Sequence, residues 1–348
     1  HAHPHFTGRV AEQLRLLPFY SNAFRNALQE EYARQLGSSC GYPEYQLFLC
    51  NSGAEANENA LKLASFHTGR GAVLAFRGAF HGRTSGAVAV TDNSSIRARF
   101  NERHEVVFAP LNDIGALREA FAHHQFAAAI IEGIQGVAGI REAEDPFLRE
   151  LRALCTAQGS VLILDEVQSG FGRSGRFFAH QQSGVPADIV TMAKGMGNGF
   201  PVAGLLIAPE LRPKHGLLGT TFGGGHLACA AALAVVEVLR LQSLQQNAAE
   251  IGAWLRQRLA AIEGIAEVRG RGLMLGFDTD TPAKDLRLRL LHDHGVLAGG
   301  GGGPSTVRLL PPLTLDIERA AMIADAVEAA LQGLHERPVT THTQGNAA

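Results

Sequence analysis

Short apolar runs separated by glycine-rich turns recur through the first two thirds of the chain. Most runs are continuous rather than alternating, which is typical of strands covered on both faces of a mainly parallel sheet. The predicted strands are residues 46–50, 72–76, 87–91, 106–109, 127–132, 161–165, 189–192 and 204–208. Helical patterns lie between several of them, at residues 54–68, 113–124 and 146–158. Strands and helices in alternation predict a three-layer α/β domain.

After His226 the pattern changes to that of longer helices. Helices are predicted at 226–241, 248–262, 283–294 and 317–331, and strands at 273–277 and 307–310. This order predicts a smaller α+β domain. We therefore expect an N-terminal segment over residues 1–20, a large domain over 21–240 and a small domain over 241–335. The polar residues 336–348 have no pattern and are expected to form a disordered tail.

Composition narrows the class of protein. Hydrophobic residues make up 46% of 348, enough for a large buried core, which excludes a disordered chain. The formal net charge is -2, so no basic field is present to hold a nucleic acid. The longest apolar run, 227–236, is about half of the ~20 residues that a membrane-spanning helix needs. Neither nucleic acid nor membrane is therefore an expected partner.

The cysteine pattern and the N-terminus bear on location. The four cysteines show no paired spacing and the first residues show no signal peptide, so a cytoplasmic protein is expected. The chain begins at His1, and HAHPHF resembles the interior of a sequence, so we expect an upstream segment. No metal site is predicted.

A small-residue turn and an acidic strand end are the first two candidate sites. NSGAEANE, at 51–58, follows a strand and opens a helix, which presents free N–H groups suited to a phosphate. Ser52 acting only as a helix cap explains the same pattern.

Asp165 ends a very apolar strand, at the sheet edge where α/β proteins bind ligands. A buried carboxylate there needs a positive partner, unless it only caps the next turn.

Lys194 also ends an apolar strand, and glycines at 195, 197 and 199 leave room beside it for a flat ring. We expect burial to lower the pKa of Lys194, so that its amine forms a Schiff base; a solvated surface lysine is the alternative.

In the loop 78–84, Phe80 offers an aromatic face and Arg83 offers a guanidinium suited to a carboxylate. A core phenylalanine and a solvated arginine remain the alternatives. A phosphate cradle, a buried acid and an imine-forming amine together fit pyridoxal phosphate (PLP).

Six segments carry a resemblance to a known family: NSGAEANE, AFHGRT, LILDEVQSGFGRSG, MAKGMGNGFPVAG, GTTFGG and VRLLPP. In this order they resemble the class III, fold-type I aminotransferases, most closely the acetylornithine/succinylornithine branch, over residues 1–332. The resemblance implies the PLP-dependent transferase fold. It also implies transfer of the terminal amino group of N2-acetylornithine or N2-succinylornithine to 2-oxoglutarate, giving the N-acylglutamate semialdehyde and glutamate, in arginine biosynthesis.

The resemblance also implies roles for single residues. Lys194 matches the Schiff-base lysine, Asp165 matches the partner of the ring nitrogen, and Gln168 matches the residue that contacts the phenolic oxygen. Gly53 and Ala54 match the turn that binds the phosphate, and Phe80 matches the aromatic residue that stacks on the ring. Arg83 matches a residue that binds a substrate carboxylate, Thr220 matches a substrate contact, and Thr221 matches the residue that binds the cofactor phosphate of the partner subunit. The role of Thr221 implies a homodimer with shared active sites.

Glu132 and Arg308 resemble the pair that the family uses to recognise two substrates. Arg308 would bind the α-carboxylate of glutamate, and Glu132 would mask Arg308 when the other amino donor enters. A permanent ion pair is the alternative. Gly133 stands where many relatives have proline, and Gly225-His226 where many have Asn-Pro. The glycine run 299–303 has no chemical explanation at this level.

Two other functions remain open. Another ω-aminotransferase, acting on ornithine or 4-aminobutyrate, would share the same core residues. A catalytically silent PLP-binding or scaffold protein is the alternative from a different class. The sequence does not report which acyl group the donor carries.

Overall fold

The computed structural model describes residues 2–102 and 104–336. Its helices are α1 Pro4–Leu16, α2 Ala27–Cys40, α3 Gly53–Thr68, α4 Ser85–Ala89, α5 Ile114–His123, α6 Asp145–Gln158, α7 His226–Leu241, α8 Leu244–Ala260, α9 Ala283–His294 and α10 Ile317–Glu336. Its strands are β1 Gln46–Cys50, β2 Ala72–Phe76, β3 Val106–Ala109, β4 Phe126–Glu132, β5 Ile134–Gln135, β6 Arg141–Glu142, β7 Val161–Asp165, β8 Ile189–Met192, β9 Ala203–Ile207, β10 Ile265–Arg271, β11 Met274–Thr279, β12 Gly299–Gly300 and β13 Thr306–Leu309.

The first sheet has seven strands in the order β1-β9-β8-β7-β4-β2-β3. The neighbours β8-β7, β7-β4, β4-β2 and β2-β3 are parallel, while β9 runs antiparallel to both β8 and β1. Six strands therefore point the same way, and their carboxyl ends meet at one edge. A mainly parallel sheet is what the continuous apolar runs predicted.

Both faces of this sheet are covered. Along β7, Leu162 and Leu164 pack in one hydrophobic cluster with residues of α2, α6 and α7. Ile163, which points to the opposite face, packs in a second cluster with Ala56 and Ala60 of α3. Because each strand buries both of its faces, its apolar residues are continuous rather than alternating. The three-layer prediction is confirmed.

The second sheet has four strands in the order β10-β11-β13-β12 and is antiparallel. Its apolar face packs with buried leucines of α8, α9 and α10, which include Leu255, Leu286 and Leu331. The predicted α+β arrangement is confirmed. The boundaries at residues 20, 240 and 335 stay predictions. Of the predicted tail, Glu336 is the last residue of α10, and 337–348 lie outside the described residues.

One predicted strand is wrong. Residues 87–91 were predicted to form a β-strand, but Ser85–Ala89 form the short helix α4. Glu58 of α3 decides this, because its carboxylate accepts the N–H groups of Gly86 and Ala87, each at 2.9 Å, at the start of α4. A short apolar run is ambiguous between strand and buried helix, and a contact distant in sequence resolves it. The pattern also missed α1, α2 and the mostly polar strand β10.

Within the described residues, no single helix has the length and apolar character to cross a membrane. The pair α7 and α8 passes that test only when the two helices are taken together, and they are bent by 63° at the break between them.

Candidate active site

The carboxyl edge of the large sheet gathers most of the predicted residues. Glu132 at the end of β4 is the register neighbour of Asp165 at the end of β7, and Asp165 is the neighbour of Thr191 in β8. Lys194 follows β8 directly, and the turn before α3 follows β1. Parallel strands bring these segments together although they lie far apart in the sequence.

Asp165 is held by donors on both carboxylate oxygens. It is 3% exposed, and its Oδ2 lies 2.7 Å from Nδ1 of His81 and accepts a hydrogen bond from Nδ2 of Asn57 at 2.8 Å. Its Oδ1 accepts the N–H of Val167 at 2.9 Å. The two interpretations of Asp165 therefore coexist: one oxygen caps the next turn, and the other has the polar partners that a buried carboxylate requires.

Three residues of this network were missed by the sequence analysis. Nδ2 of Asn57 also donates to the carbonyl of His81 at 2.7 Å, and Oδ1 of Asn57 accepts from the hydroxyl of Thr191 at 2.6 Å. Asn57, His81 and Thr191 are all at most 2% exposed. The available signal was a polar residue on the buried face of a helix: Asn57 lies between Ala56 and Ala60, which face the sheet.

The start of α3 supplies free backbone donors. Ser52 caps the helix, because its hydroxyl accepts the N–H of Glu55 at 3.2 Å. The N–H groups of Gly53 and Ala54 have no acceptor among the described residues. A Cβ added at Gly53 would lie 2.7 Å from Cγ1 of Val167, so only glycine fits beside the β7 loop. The cap and the anion-binding turn are therefore compatible.

The expectation that Lys194 is buried is wrong, because its side chain is exposed in this chain. The lysine follows β8 where the strand leaves the sheet, so its side chain projects from the open edge rather than into the core. Its φ is +44°, a left-handed conformation that costs a residue with a side chain about 1–3 kcal/mol. Such strain is typical of functional positions, where surrounding contacts hold the backbone in place.

Phe80 is half-buried, and its backbone N–H donates to Oε1 of Glu132 at 2.9 Å. Arg83 and Thr221 are exposed, and Thr220 is half-buried. The hydroxyl of Thr220 accepts from the N–H of Gly223 at 3.1 Å and lies 3.4 Å from Nδ2 of Asn51, beside the α3 turn. The structure therefore brings Thr220 to the phosphate turn. The carbonyl of Thr221 accepts from Nδ2 of Asn22 at 3.4 Å, whereas the side chains of Thr221 and Arg83 have no hydrogen-bond partner within the described part of the chain.

Gln168 lies against the backbone of Gly136. A Cβ added at Gly136 would lie 1.6 Å from Oε1 of Gln168, so a larger residue there would displace the Gln168 side chain. Oε1 of Gln168 is buried and has no hydrogen-bond partner among the described residues. The NH2 group of Gln168 also donates no hydrogen bond within the described residues, so it is free to donate to a ligand oxygen.

Glu132 and Arg308, both within the described chain, do not form the permanent ion pair that was the alternative. Oε2 of Glu132 accepts the N–H of Gly136 at 3.1 Å, and Nη1 of Arg308 donates to the carbonyl of Gly136 at 2.8 Å. Gly136 therefore connects the two side chains. Burial raises the pKa of Glu132 to about 7, against the lowering effect of His81, and the Asp165 carboxylate raises it further. Burial also lowers the pKa of Arg308, as does the nearby Arg287.

The glycine run 299–303 now has a structural explanation. The carbonyl of Gly300 accepts from Nε of Arg308 at 2.7 Å. A Cβ added at Gly301 would lie 2.6 Å from the carbonyl oxygen of Val137, and one at Gly302 would lie 2.2 Å from that of Ala138. The run therefore packs backbone against backbone on the turn after β5, and this contact positions Arg308.

These residues fit PLP. The start of α3 offers two free N–H groups to a phosphate, Asp165 is a buried carboxylate at the sheet edge, and the side-chain amide of Gln168 has no hydrogen-bond partner among the described residues. Lys194 presents an amine at the same edge. The fold and this set of groups define a PLP-dependent transferase of fold type I.

Comparison with known proteins defines the family. The family profile of the class III aminotransferases matches residues 1–331. The chain is 39% identical to the acetylornithine aminotransferase of Methanosarcina acetivorans, over 95% of this chain and 83% of that protein. It is 37% identical to the acetylornithine aminotransferase of Bacillus subtilis, over 96% of this chain and 86% of that protein. The chain therefore belongs to the class III aminotransferases, is a transaminase and uses PLP.

A solved structure agrees with this assignment. The ornithine aminotransferase of Toxoplasma gondii, a structure with PLP at partial occupancy in its active site, superposes with a TM-score of 0.89. It is 27% identical, and the match covers 97% of this chain and 83% of that chain. As a member of the family, this chain has an amino acid and the 2-oxoglutarate/glutamate pair as its substrates.

Proposed function

We propose that this aminotransferase moves the terminal amino group of N2-acetylornithine, or of N2-succinylornithine, to 2-oxoglutarate. The products are the N-acylglutamate semialdehyde and glutamate, and the reaction is a step of arginine biosynthesis. The observation that carries the choice of donor is the similarity to curated acetylornithine aminotransferases over nearly the whole chain.

The site residues divide into those that hold the cofactor and one that moves protons. The N–H groups of Gly53 and Ala54 bind the phosphate, and Phe80 covers one face of the ring. Asp165 holds a proton on the ring nitrogen, and Gln168 contacts the phenolic oxygen. When bound, PLP supplies an aldehyde that captures the donor amine and a ring that accepts the electron pair left by a departing proton.

Lys194 is the acid and base of the reaction. With the cofactor bound, its Nζ would take the proton from the donor's terminal carbon and would later give that proton up again. The exposed position of Lys194 at the open sheet edge supports this role, because an incoming amine must reach the same place. The network of His81 and Asn57 keeps the Asp165 carboxylate fixed while this proton moves.

Two arginines bind the carboxylates of 2-oxoglutarate and glutamate. Arg83 is exposed and free of partners among the described residues, and Arg308 is bound only to backbone carbonyls. Carbonyl oxygens carry no formal charge, so a carboxylate displaces them at lower cost than it would displace a permanent ion-pair partner. Glu132 and Arg308 both hydrogen-bond to the backbone of Gly136, and Glu132 masks Arg308 when the N-acylated donor is bound.

We further infer a homodimer with shared active sites. Exposed aromatic residues form a patch around Thr221, and the rings of Phe19 and Phe222 lie 5.1 Å apart. Phe222 is 64% exposed, Tyr20 53% and Phe24 63%. An apolar surface of this kind favours a partner surface, and a second copy would place Thr221 at the partner's cofactor phosphate. The predicted cytoplasmic location stays a prediction.

The decisive experiment compares kcat/KM for N-acetylornithine, N-succinylornithine, ornithine and 4-aminobutyrate, with 2-oxoglutarate as acceptor. The N-acylated donors are expected to be preferred. Preference for ornithine or 4-aminobutyrate would favour another ω-aminotransferase, and no turnover with any donor would indicate a catalytically silent protein. Borohydride reduction followed by peptide mapping separately tests Lys194, since the label must be found at that residue.

A further inference from the structure

A cavity outside the active site lies where three segments meet. It has a volume of about 360 Å³ and is lined by the loop 174–176, by α8 and by the turn 270–272 between β10 and β11. Three of its lining residues are arginines, Arg176, Arg256 and Arg271, and no aspartate or glutamate of the described chain lines it. Arg271 forms an ion pair with Glu142, so the positive charge without an ion-pair partner among the described residues comes from Arg176 and Arg256.

The floor of the cavity is backbone. A Cβ added at Gly252 of α8 would lie 2.0 Å from the carbonyl oxygen of Gly272, and one at Gly272 would lie 2.6 Å from the nitrogen of Gly175. A Cβ at Gly175 would lie 3.0 Å from that of Ala249. The three segments are therefore in contact through glycines, and the arginine side chains rise around a floor that carries no bulky groups.

The arginines keep unused hydrogen-bond donors. Nε of Arg271 donates to Oε2 of Glu142 at 2.5 Å, and Nε of Arg176 donates to Oε1 of Gln182 at 2.9 Å. In both residues the terminal nitrogens have no partner among the described atoms. The side chain of Arg256 is exposed and has no hydrogen-bond or ion-pair partner in residues 2–102 and 104–336. A guanidinium has five N–H donors, so most of this capacity is free.

A buried polar atom at the same place also lacks a partner. Ser174 lines the cavity and is 7% exposed, yet its hydroxyl is buried without any hydrogen-bond partner in the described chain. A buried hydroxyl without a partner costs about 1–3 kcal/mol. The hydroxyl of Ser174 would gain a partner from an anion bound in the cavity.

We propose that this cavity is a second binding site, for a small anion with two or more negatively charged oxygen groups, either carboxylates or phosphates. The arginines bind the oxygens through their free terminal N–H groups, and the hydroxyl of Ser174 donates to one of them. The ligand would bridge the loop after β7, which also carries Gln168, to α8 and the β10–β11 turn. The proposal concerns residues that have no part in the substrate site.

The test measures binding to the PLP-loaded enzyme by isothermal titration calorimetry, with pyrophosphate and citrate as probes at constant ionic strength. The comparison of the two probes distinguishes phosphate from carboxylate ligands. Saturable binding is expected for at least one of them. Arg256→Gln is expected to weaken that binding about tenfold, since one charge-assisted contact is worth at least that factor. Arg176→Gln combined with Arg256→Gln is expected to abolish it.

Two control variants locate the effect. Arg240→Gln removes the same charge from an exposed position outside the cavity and is expected to leave binding unchanged. Arg308→Gln is expected to retain binding, which separates this site from the substrate site and from the proposed donor specificity. The proposal is overturned if binding is not saturable, if Arg256→Gln binds as tightly as the unaltered enzyme, or if Arg308→Gln abolishes it.

Discussion

At the scale of single residues, the active site depends on charged groups whose positions are fixed by neutral ones. Asn57 holds both Asp165 and Thr191, and Gly136 contacts Glu132 through its N–H and Arg308 through its carbonyl. These contacts orient charged groups without neutralising them. The charges therefore remain available to a cofactor and to substrates.

Lys194→Ala is expected to lower kcat by at least about a thousandfold, because in the proposed mechanism Lys194 alone moves the proton. Phosphate binding at the start of α3 is expected to survive, so PLP should still bind non-covalently. Steady-state kinetics and the visible absorption of the bound cofactor measure the two effects. Lys214→Ala, at another exposed lysine, is the control and should be fully active. Near-normal turnover in the Lys194 variant would refute its role.

Glu132 predicts a dependence of stability on pH. Burial raises its pKa from 4.5 to about 7, so the folded state favours the protonated carboxyl. The stabilisation is complete below pH 4.5 and is lost as pH rises through 7, by up to about 3 kcal/mol. Glu132→Gln is neutral at all pH values and should not show this loss.

The measurement is the free energy of unfolding of both proteins between pH 4.5 and 8. The unaltered protein should lose stability relative to Glu132→Gln as pH rises. Glu119→Gln, at an exposed position, is the control and should follow the unaltered protein. Parallel curves for the unaltered protein and the Glu132 variant would show that the raised pKa is wrong.

At the scale of elements, close backbone contacts place side chains that come from different sheets. Arg308 belongs to β13, but its guanidinium is held by carbonyls of the turn after β5 and of the glycine run 299–303. Arg269 of β10 makes a similar contact, from its Nε to the carbonyl of Gly139 at 2.7 Å. The turn after β5 is therefore fixed by the second sheet.

Gly302→Ala is expected to raise the KM for 2-oxoglutarate about tenfold, because the run must move away from Ala138 and carries Arg308 with it. Gly302 also has a φ of +80°, which disfavours alanine. The KM for the N-acylated donor should change less.

Gly303→Ala is the matched control in the same run. A Cβ there would meet only the hydroxyl of Thr306, at 3.8 Å, so kinetics should be unaltered. Thermal unfolding of both variants establishes that each is folded. Equal KM values for 2-oxoglutarate in the two variants would contradict the positioning role of the run.

At the scale of the whole molecule, the exposed aromatic patch around Thr221, which includes Phe222, is the surface to which we assign the proposed dimer interface. Phe222→Ser is expected to weaken the proposed dimer at least about tenfold, because the interface would lose a large aromatic side chain. Analytical ultracentrifugation over a range of concentrations measures the dissociation constant. Leu297→Ser, at a residue 83% exposed, is the control and should dimerise normally. A Phe222 variant that dimerises normally would count against this interface.

Much of the fold was predictable from local pattern. Continuous apolar strands, helices between them and glycine at helix ends identify a three-layer α/β domain because each depends on residues close in sequence. Asp165 and Lys194 were detectable for a similar reason, since a charged residue that follows an apolar strand stands out, whereas Glu132 was identified only through the family resemblance. The motifs around them were sufficient to indicate the family.

Contacts between distant segments decided the rest. Helix α4 exists because Glu58 caps it, and the Asp165 network depends on Asn57 and His81, which are 24 residues apart. The exposure of Lys194, the connection from Glu132 to Arg308 through Gly136 and the arginine-lined cavity follow from the packing of the two sheets and their helices. Local pattern reports which faces of an element are apolar, whereas tertiary packing determines which polar groups meet.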